Sequence, residues 1–228
     1  MIESVAIPEF LRHRVAVLAS GAGTNLQTLI DAIARGELSA EIVCVFSDQT
    51  TCAALQRARD AGISAIALSP KPYPTRAAFD AALFGLVDAA RPDLIVCAGY
   101  MRLISATEVE ARSHRIINLH PSLLPAFKGL HTHRQALDAG AHEHGASVHV
   151  VTADLDGGPV IAQARVPVLA DDTAETLAAR VREQEHPLLV EVVRLLSEGR
   201  LRLCDGHVHL NDKTLNEPLQ LRANRRLA

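Results

Sequence analysis

"RVAVLASGAGTNLQTLIDAIARG", residues 14–36, changes its period in the middle. The run Val15 to Ala19 is unbroken apolar, the pattern of a strand covered on both faces. From Asn25 onward the apolar residues Leu26, Leu29, Ile30 and Ile33 recur at helical spacing, and Gly36 closes the pattern where a helix C-terminus favours glycine. A Ser-Gly-Ala-Gly-Thr-Asn turn joins the two. Strand, glycine turn and helix in that order open a β-α-β unit.

The same switch recurs downstream. "EIVCVFSD" precedes "CAALQRARDAG", "SAIALS" precedes "RAAFDAALFGLVDAA", "DLIVCAGY" precedes "ATEVEARS", and "RIINLHP" follows, with Gly62 and Pro92 marking further helix ends. Continuous strands alternating with helices predict an α/β fold: an open, mostly parallel Rossmann-like sheet with helices on both faces, over residues 14–121. The second half differs. "ASVHVVTADLDGGPVIAQARVPV" predicts two strands turning at Asp-Gly-Gly-Pro. A long helix follows from Thr173, with its capping acids, to about Gly199, and "LRLCDGHVHLN" predicts a strand pair around Asp205-Gly206. Residues 212–228 have little pattern and are expected to be loose. With no repeat or linker in between, residues 1–228 are read as one domain, with 14–121 as a phosphate-binding half and 122–211 as a catalytic half sharing one sheet.

Composition narrows the function. Nearly half of the 228 residues are apolar, enough for a full core. A formal charge of −3 and no Lys/Arg-rich stretch argue against a nucleic-acid partner. Cys44, Cys52, Cys97 and Cys204 form no C-x-x-C pair, and Cys44 and Cys97 sit in apolar runs, as in a reducing cytoplasm. The N-terminus does not resemble a signal peptide and no apolar run reaches spanning length, so a cytoplasmic protein without membrane contact is expected.

The glycine turn aims backbone N–H groups and a helix dipole at one point, where a phosphate is the natural guest. A dinucleotide fingerprint would require glycine in place of Leu26, and a Walker A loop would require a lysine. An empty β-α turn explains the glycines equally well, and Thr24 or Asn25 as N-cap serves either reading.

Asn118 and His120 stand on alternate positions at the end of the fifth predicted strand, the sheet edge where such folds hold ligands, and Asp156 lies on the turn of the later strand pair. A neutral amide can stabilise negative charge developing on a carbonyl oxygen, an imidazole can carry a proton, and an adjacent carboxylate favours the imidazole's charged form. Together they suit acyl transfer without a protein nucleophile; "HPSLLP" lacks the Gly-x-Ser-x-Gly elbow that would make Ser122 one. Taken singly, each residue has a structural explanation as a turn former or hydrogen-bonder. The histidines at 114, 120, 131, 133, 142, 144 and 149 lack the cysteine partners or His-Glu-x-x-His spacing of familiar zinc sites, so no metal is expected.

With "SGAGTNLQ", "CAGYMRLIS", "INLHPSLLPAFKGLHTHRQAL", "GASVHVVTADLDGGPVI" and "REQEHPLLVEVV" in this order between Arg14 and Asn211, the sequence resembles the folate-dependent formyltransferases, and in particular those acting on 5-phosphoribosylglycinamide. The resemblance implies 10-formyltetrahydrofolate as co-substrate and no metal. It implies a catalytic set of Asn118, His120 and Asp156. Gly23, Thr24 and Asn25 would hold the substrate phosphate, and Arg182, Glu183, Gln184 and Glu185 would meet the rest of that substrate, a carboxylate suiting two sugar hydroxyls. Met101, Arg102, Leu103 and Ile104, with Asn118, Thr152, Ala153, Asp154, Leu155 and Asp156, would surround the folate pterin, and Arg76 would lie near the folate's anionic tail. Sequence alone favours reading Arg76 as a solvated surface charge.

Three departures accompany the resemblance. The family more often has serine at the position of Thr24, "FSDQTTCA" differs from the family's asparagine-containing segment so that Asp48 is given no role, and some ten residues precede the first strand. Related families are expected to be excluded: formyltetrahydrofolate hydrolase by its extra preceding domain, methionyl-tRNA formyltransferase by its basic C-terminal domain. A binding module would leave His120 and Asp156 without a purpose. The partners expected are small molecules, for a monomer or homodimer.

Overall fold

A computed structural model describes residues 12–204 and 206–228; the N-terminal extension through residue 11 and Asp205 lie outside them. The first half alternates as expected: β1 (His13–Leu18), α1 (Thr24–Ala34), β2 (Ala40–Ser47), α2 (Ala53–Asp60), β3 (Ala65–Ala67), α3 (Arg76–Ala89), β4 (Leu94–Cys97), α4 (Ala106–Ala111) and β5 (Ile116–His120). A short α5 (Thr132–Asp138) leads to β6 (Glu143–Val150) and β7 (Val160–Pro167). Then come α6 (Ala174–Ser197), β8 (Leu201–Cys204), β9 (His207–Leu210), β10 (Lys213–Thr214) and β11 (Leu219–Gln220).

One eight-stranded sheet runs in the order β11-β7-β6-β5-β4-β1-β2-β3, and β8 to β10 form a small antiparallel sheet. Strands β1 to β5 are parallel to their neighbours, while β5, β6 and β7 pair antiparallel, so the two halves share one sheet. The alternation of β1 shows why its apolar run is continuous. Val15 and Val17 pack on the side of α1, α2, α5 and α6, whereas Ala16 and Leu18 pack against Phe79, Leu83, Phe84 and Val87 of α3. The order in which strands are added reverses between the parallel neighbours β1 and β4, and the carboxyl ends of those strands open the crevice in which such sheets hold ligands.

Four expectations need correction. Neither Thr24 nor Asn25 caps α1: Gly23 occupies the cap position at φ 71°, and no side chain bonds there. The backbone needs glycine twice over at Gly23, for the positive φ and because a Cβ would stand 2.6 Å from Ala54 Cα of α2. The capping box of α6 joins Thr173 to Thr176, each side chain bonding the other's amide, with no acid in that exchange. Residues 212–228 are not loose: β11 lies parallel to β7, and Glu191, buried on α6, receives Arg226 at 3.0 Å and the Leu227 amide at 3.4 Å. The β6–β7 connection is also wider than a tight turn, spanning 151–159.

That connection depends on Gly158, where an added Cβ would lie 1.9 Å from the Val150 carbonyl oxygen. Gly158→Ala is expected to lower stability by about 1 to 3 kcal/mol through this backbone collision, visible as a lower denaturation midpoint.

Candidate active site

The end of β1 is tied to the end of β4. Ser20 Oγ donates to Asp48 Oδ1 at 2.6 Å and accepts from the Met101 amide at 3.0 Å, while the Ser20 amide bonds the Gly99 carbonyl at 3.0 Å. Asp48 therefore has a structural task that the sequence did not reveal: it holds the serine that opens the glycine turn. Arg57 on α2 grips the turn from outside, donating to the Ala22 carbonyl at 2.9 Å and to Gln27 Oε1 at 3.1 Å. Gly23 is buried and Thr24 half-buried, and no side-chain cap spends the amide donors at the start of α1.

Helix α6 crosses this turn. Asn25 Nδ2 donates to Glu185 Oε2 at 3.3 Å, and Asn25 Oδ1 is buried without a partner. Burial holds the Glu185 carboxyl above its ordinary range, against the pull of Asn25 and the charges of Arg182 and His120. Arg182 and Glu183 are exposed and Gln184 half-buried. Pro187 stands inside α6 and has no amide to give the Glu183 carbonyl, so the helix is interrupted in its bonding at the turn that carries Glu185.

Asn118, His120 and Asp156 do converge. His120 is 5% exposed; its Nδ1 stands 3.5 Å from Asp156 Oδ2 and its Nε2 is 3.1 Å from the Phe127 carbonyl. Asp156 adopts φ 45°, a left-handed conformation that aspartate tolerates, and its Oδ2 accepts the Gly129 amide at 2.9 Å. One carboxylate thus joins the β6–β7 connection to the loop after β5.

A fourth residue enters, His149, which the sequence offered only among a crowd of histidines. It sits opposite Asn118 in the β5–β6 ladder. Asn118 Nδ2 lies 3.1 Å from His149 Nε2, His149 Nδ1 lies 2.9 Å from the Val150 carbonyl, and Asp156 Oδ1 is 3.6 Å from His149 Nε2. With Nδ1–H given to Val150, Nε2 accepts from the asparagine, which fixes the amide's rotation and leaves its second N–H for the crevice. Burial lowers the pKa of His149, in keeping with a neutral ring, although the Val150 carbonyl and Asp156 pull the other way. Only the register of the antiparallel β5–β6 pairing brings positions 118 and 149 together, and no motif in the sequence signals it.

Ser122 is fully buried and spends its hydroxyl on the Ala126 carbonyl at 2.7 Å, which removes it as a nucleophile. His133 and His144 pair with each other at 3.1 Å, and His144 is held at a pKa of about 4, first by burial and then by the neighbouring imidazoles. A histidine whose folded pKa lies below its unfolded value stabilises the fold in its neutral form. Stability is therefore expected to fall as pH drops from about 6.5 toward 4, and His144→Gln should flatten that part of an unfolding-against-pH profile.

Met101, Leu103, Leu130 and Leu155 are the large apolar side chains left exposed on the β4–α4, post-β5 and β6–β7 loops, at 65%, 51%, 62% and 49%. Ile104 is half-buried against Phe79 and its neighbours, and Arg102 stacks over the Phe79 ring at 5.0 Å. Thr152 and Ala153 line a cavity of about 220 Å³ with Val109, Val150 and Pro159, and Thr152 Oγ1 is buried without a partner. Asp154 is exposed. Arg76 starts α3, apart from the catalytic cluster, and makes no ion pair among the described residues.

A glycine turn, a half-buried amide and carboxylate and two buried imidazoles, with an apolar rim and the nearby serine hydroxyl already spent, have the chemistry of an enzyme of acyl transfer between small molecules. Comparison with known proteins specifies the acyl group. The profile of the family described as "Formyl transferase" matches residues 13–193. The phosphoribosylglycinamide formyltransferase of Escherichia coli (strain K12) is 44% identical over 201 residues, 88% of this chain and 95% of that protein. Among solved structures, phosphoribosylglycinamide formyltransferase from Coxiella burnetii superposes with a TM-score of 0.86 at 44% identity, covering 90% of this chain and 96% of the other. Glycinamide ribonucleotide transformylase 1 from Symbiobacterium toebii does so with a TM-score of 0.84 at 46% identity, covering 88% and 94%. The chain belongs to the formyl transferase family, in its phosphoribosylglycinamide formyltransferase branch, which serves purine biosynthesis.

Proposed function

We propose that the chain transfers the formyl group of 10-formyltetrahydrofolate directly to the primary amine of 5-phosphoribosylglycinamide, with Asn118, His120 and Asp156 as the reacting site's own groups. The observation that carries this is the joining of all three: Asn118 meets His149, and both His149 and His120 meet Asp156. The amine nitrogen attacks the formyl carbon, and the carbonyl oxygen takes up negative charge. The free N–H of Asn118 meets that oxygen, as does His120 in its charged form once Nε2 exchanges the Phe127 carbonyl for it. The attacking nitrogen loses a proton, through water toward Asp156; N10 of the folate gains one as its bond to the formyl carbon breaks. Tetrahydrofolate and the N-formyl product leave.

The substrate's phosphate goes to the amides of Gly23, Thr24 and Asn25, and its ribosyl-glycinamide part to Glu185 with Arg182 to Gln184 beside it. The unpartnered Asn25 Oδ1, beside Glu185, supports the placement of the ribosyl part, whose hydroxyls can donate to it. The folate enters over Met101 to Ile104 and the Thr152–Asp156 segment, where the exposed Met101, Leu103 and Leu155 and the orphaned Thr152 hydroxyl fit a flat ring with polar edges. Arg76 faces the anionic tail. No step requires a metal.

Following formyl loss by absorbance, with and without 5-phosphoribosylglycinamide, tests the reaction. Loss only with the amine present is the expected result; equal loss without it makes water the acceptor. Glu185→Gln is expected to raise KM for the ribonucleotide about tenfold, since a hydrogen bond to a charged group contributes about 1.5 kcal/mol, with KM for the folate unchanged in the same assays.

A further inference from the structure

Asp80 is a buried carboxyl that the reaction does not use. It lies on α3, 1% exposed, on the side of the sheet opposite α1 and α6. Its Oδ2 accepts the amide of Ser105 at 2.7 Å, across a separation of 25 residues, and Ser105 is where the Met101–Ile104 segment passes into α4. Around this bond lies a cluster of buried polar atoms with no partner among the described residues: Asp80 Oδ1, Ser105 Oγ, Tyr100 Oη and Arg102 Nε. Burial of an isolated carboxyl in an apolar layer of Phe79, Leu83 and Phe84 costs stability unless it is bonded, and hydrophobic residues at that position would pack without this cost. Burial raises the pKa of Asp80, against the Ser105 amide and hydroxyl and the charges of Arg76 and Arg102.

Those opposing groups have a common address. Arg76, Arg102 and Ser105 border or belong to the surface assigned above to the folate, and Asp80 is within reach of all three from behind. The far end of the same segment is pinned by the Met101 amide on Ser20. The stretch from Met101 to Ser105 has no regular backbone ladder of its own, so its course is set by these two terminal bonds together with the packing of Arg102 and Ile104 on the Phe79 cluster.

We propose that Asp80 is a positioning residue for folate recognition: by holding the Ser105 amide from the core side, it fixes the Met101–Ile104 segment in the shape that meets the pterin. It touches neither substrate. The inference rests on the reading of Met101–Ile104 as the folate segment, and the test separates the two.

The experiment is steady-state kinetics and thermal unfolding on Asp80→Ala, Asp80→Asn and Leu103→Ala in the full chain. Asp80→Ala is expected to raise KM for 10-formyltetrahydrofolate tenfold or more, with KM for 5-phosphoribosylglycinamide within twofold of wild type. Asp80→Asn, which keeps an oxygen for the Ser105 amide, should restore the folate KM to within about threefold. A merely structural carboxyl would lower the unfolding temperature and leave both KM values alone, or raise both together, and either result overturns the proposal. Leu103→Ala reports on the segment itself. If it weakens folate while Asp80→Ala does not, Asp80 alone is excluded; if it leaves folate KM unchanged, the segment reading fails and the Asp80 proposal with it. Should Asp80→Ala not fold, Asp80→Ser withdraws the oxygen from the amide while keeping a polar group in place, and the same KM split decides.

Discussion

Asp156→Asn is expected to reduce turnover on the order of a hundredfold or more while both KM values stay within about threefold of wild type. Asparagine matches the shape of the carboxylate and can still accept the Gly129 amide, so the contact between the β6–β7 connection and the loop after β5 survives. What disappears is the negative charge 3.5 Å from His120 Nδ1 and 3.6 Å from His149 Nε2, together with the group that receives the amine's proton. The backbone of the Thr152–Asp156 segment and the shape of the side chain are kept, which is why the loss should fall on the chemical step. Steady-state kinetics with each substrate varied in turn checks this, and near-normal turnover would take Asp156 out of the mechanism.

Asn118→Ala should cost turnover on the order of a hundred- to a thousandfold, the usual effect of removing one preorganised donor from an oxyanion site. The backbone of β5 remains in its ladder, between Cys97 and His149, so the sheet is not at stake. Asn118→Asp sharpens the test. It preserves size but replaces the donor with a second carboxylate near Asp156, so a residue needed only for packing would tolerate it and an oxyanion donor would not. Single-turnover formyl transfer, measured with both variants saturated, separates these outcomes; a wild-type rate in either one contradicts the role given to Asn118.

The parts of the fold written in local periodicity were legible. β1 to β5 are continuous apolar runs because helices cover both faces, and α1, α3 and α6 repeat at helical spacing because one face is buried. What the sequence concealed depends on contacts between distant segments. The cap of α1 is a backbone conformation at Gly23, forced by α2 lying against it, and no side-chain preference announces that. Residues 212–228 read as patternless since a two-residue strand is too short for a period to show; their order comes from Glu191 and β7.

The candidate site divides in the same way. Asn118 and His120 stand out by residue type and place at a predicted strand end, Asp156 by its place on a predicted turn, and the three side chains come together. His149 was overlooked because its identity as the residue facing Asn118 depends on the register between β5 and β6, which a strand prediction does not carry. Asp48 and Asp80 were silent for a related reason: each is a carboxyl whose partner, Ser20 or the Ser105 amide, lies tens of residues away in sequence.

The docked C-terminal residues have a further consequence, for solubility. An open sheet ends in two strands whose outer amides and carbonyls could recruit another chain, and the apolar runs that build this sheet would be hazardous if offered there. One border is β3, three residues long, and the other is β11, two residues long, beyond which Leu221 turns back to bridge Leu227. Each border is short: β6 lies inside the sheet, and β11 with the Leu221 amide occupies the outer edge of β7 at Ala162 and Gln163, so a foreign strand would meet only interrupted stretches of free backbone there.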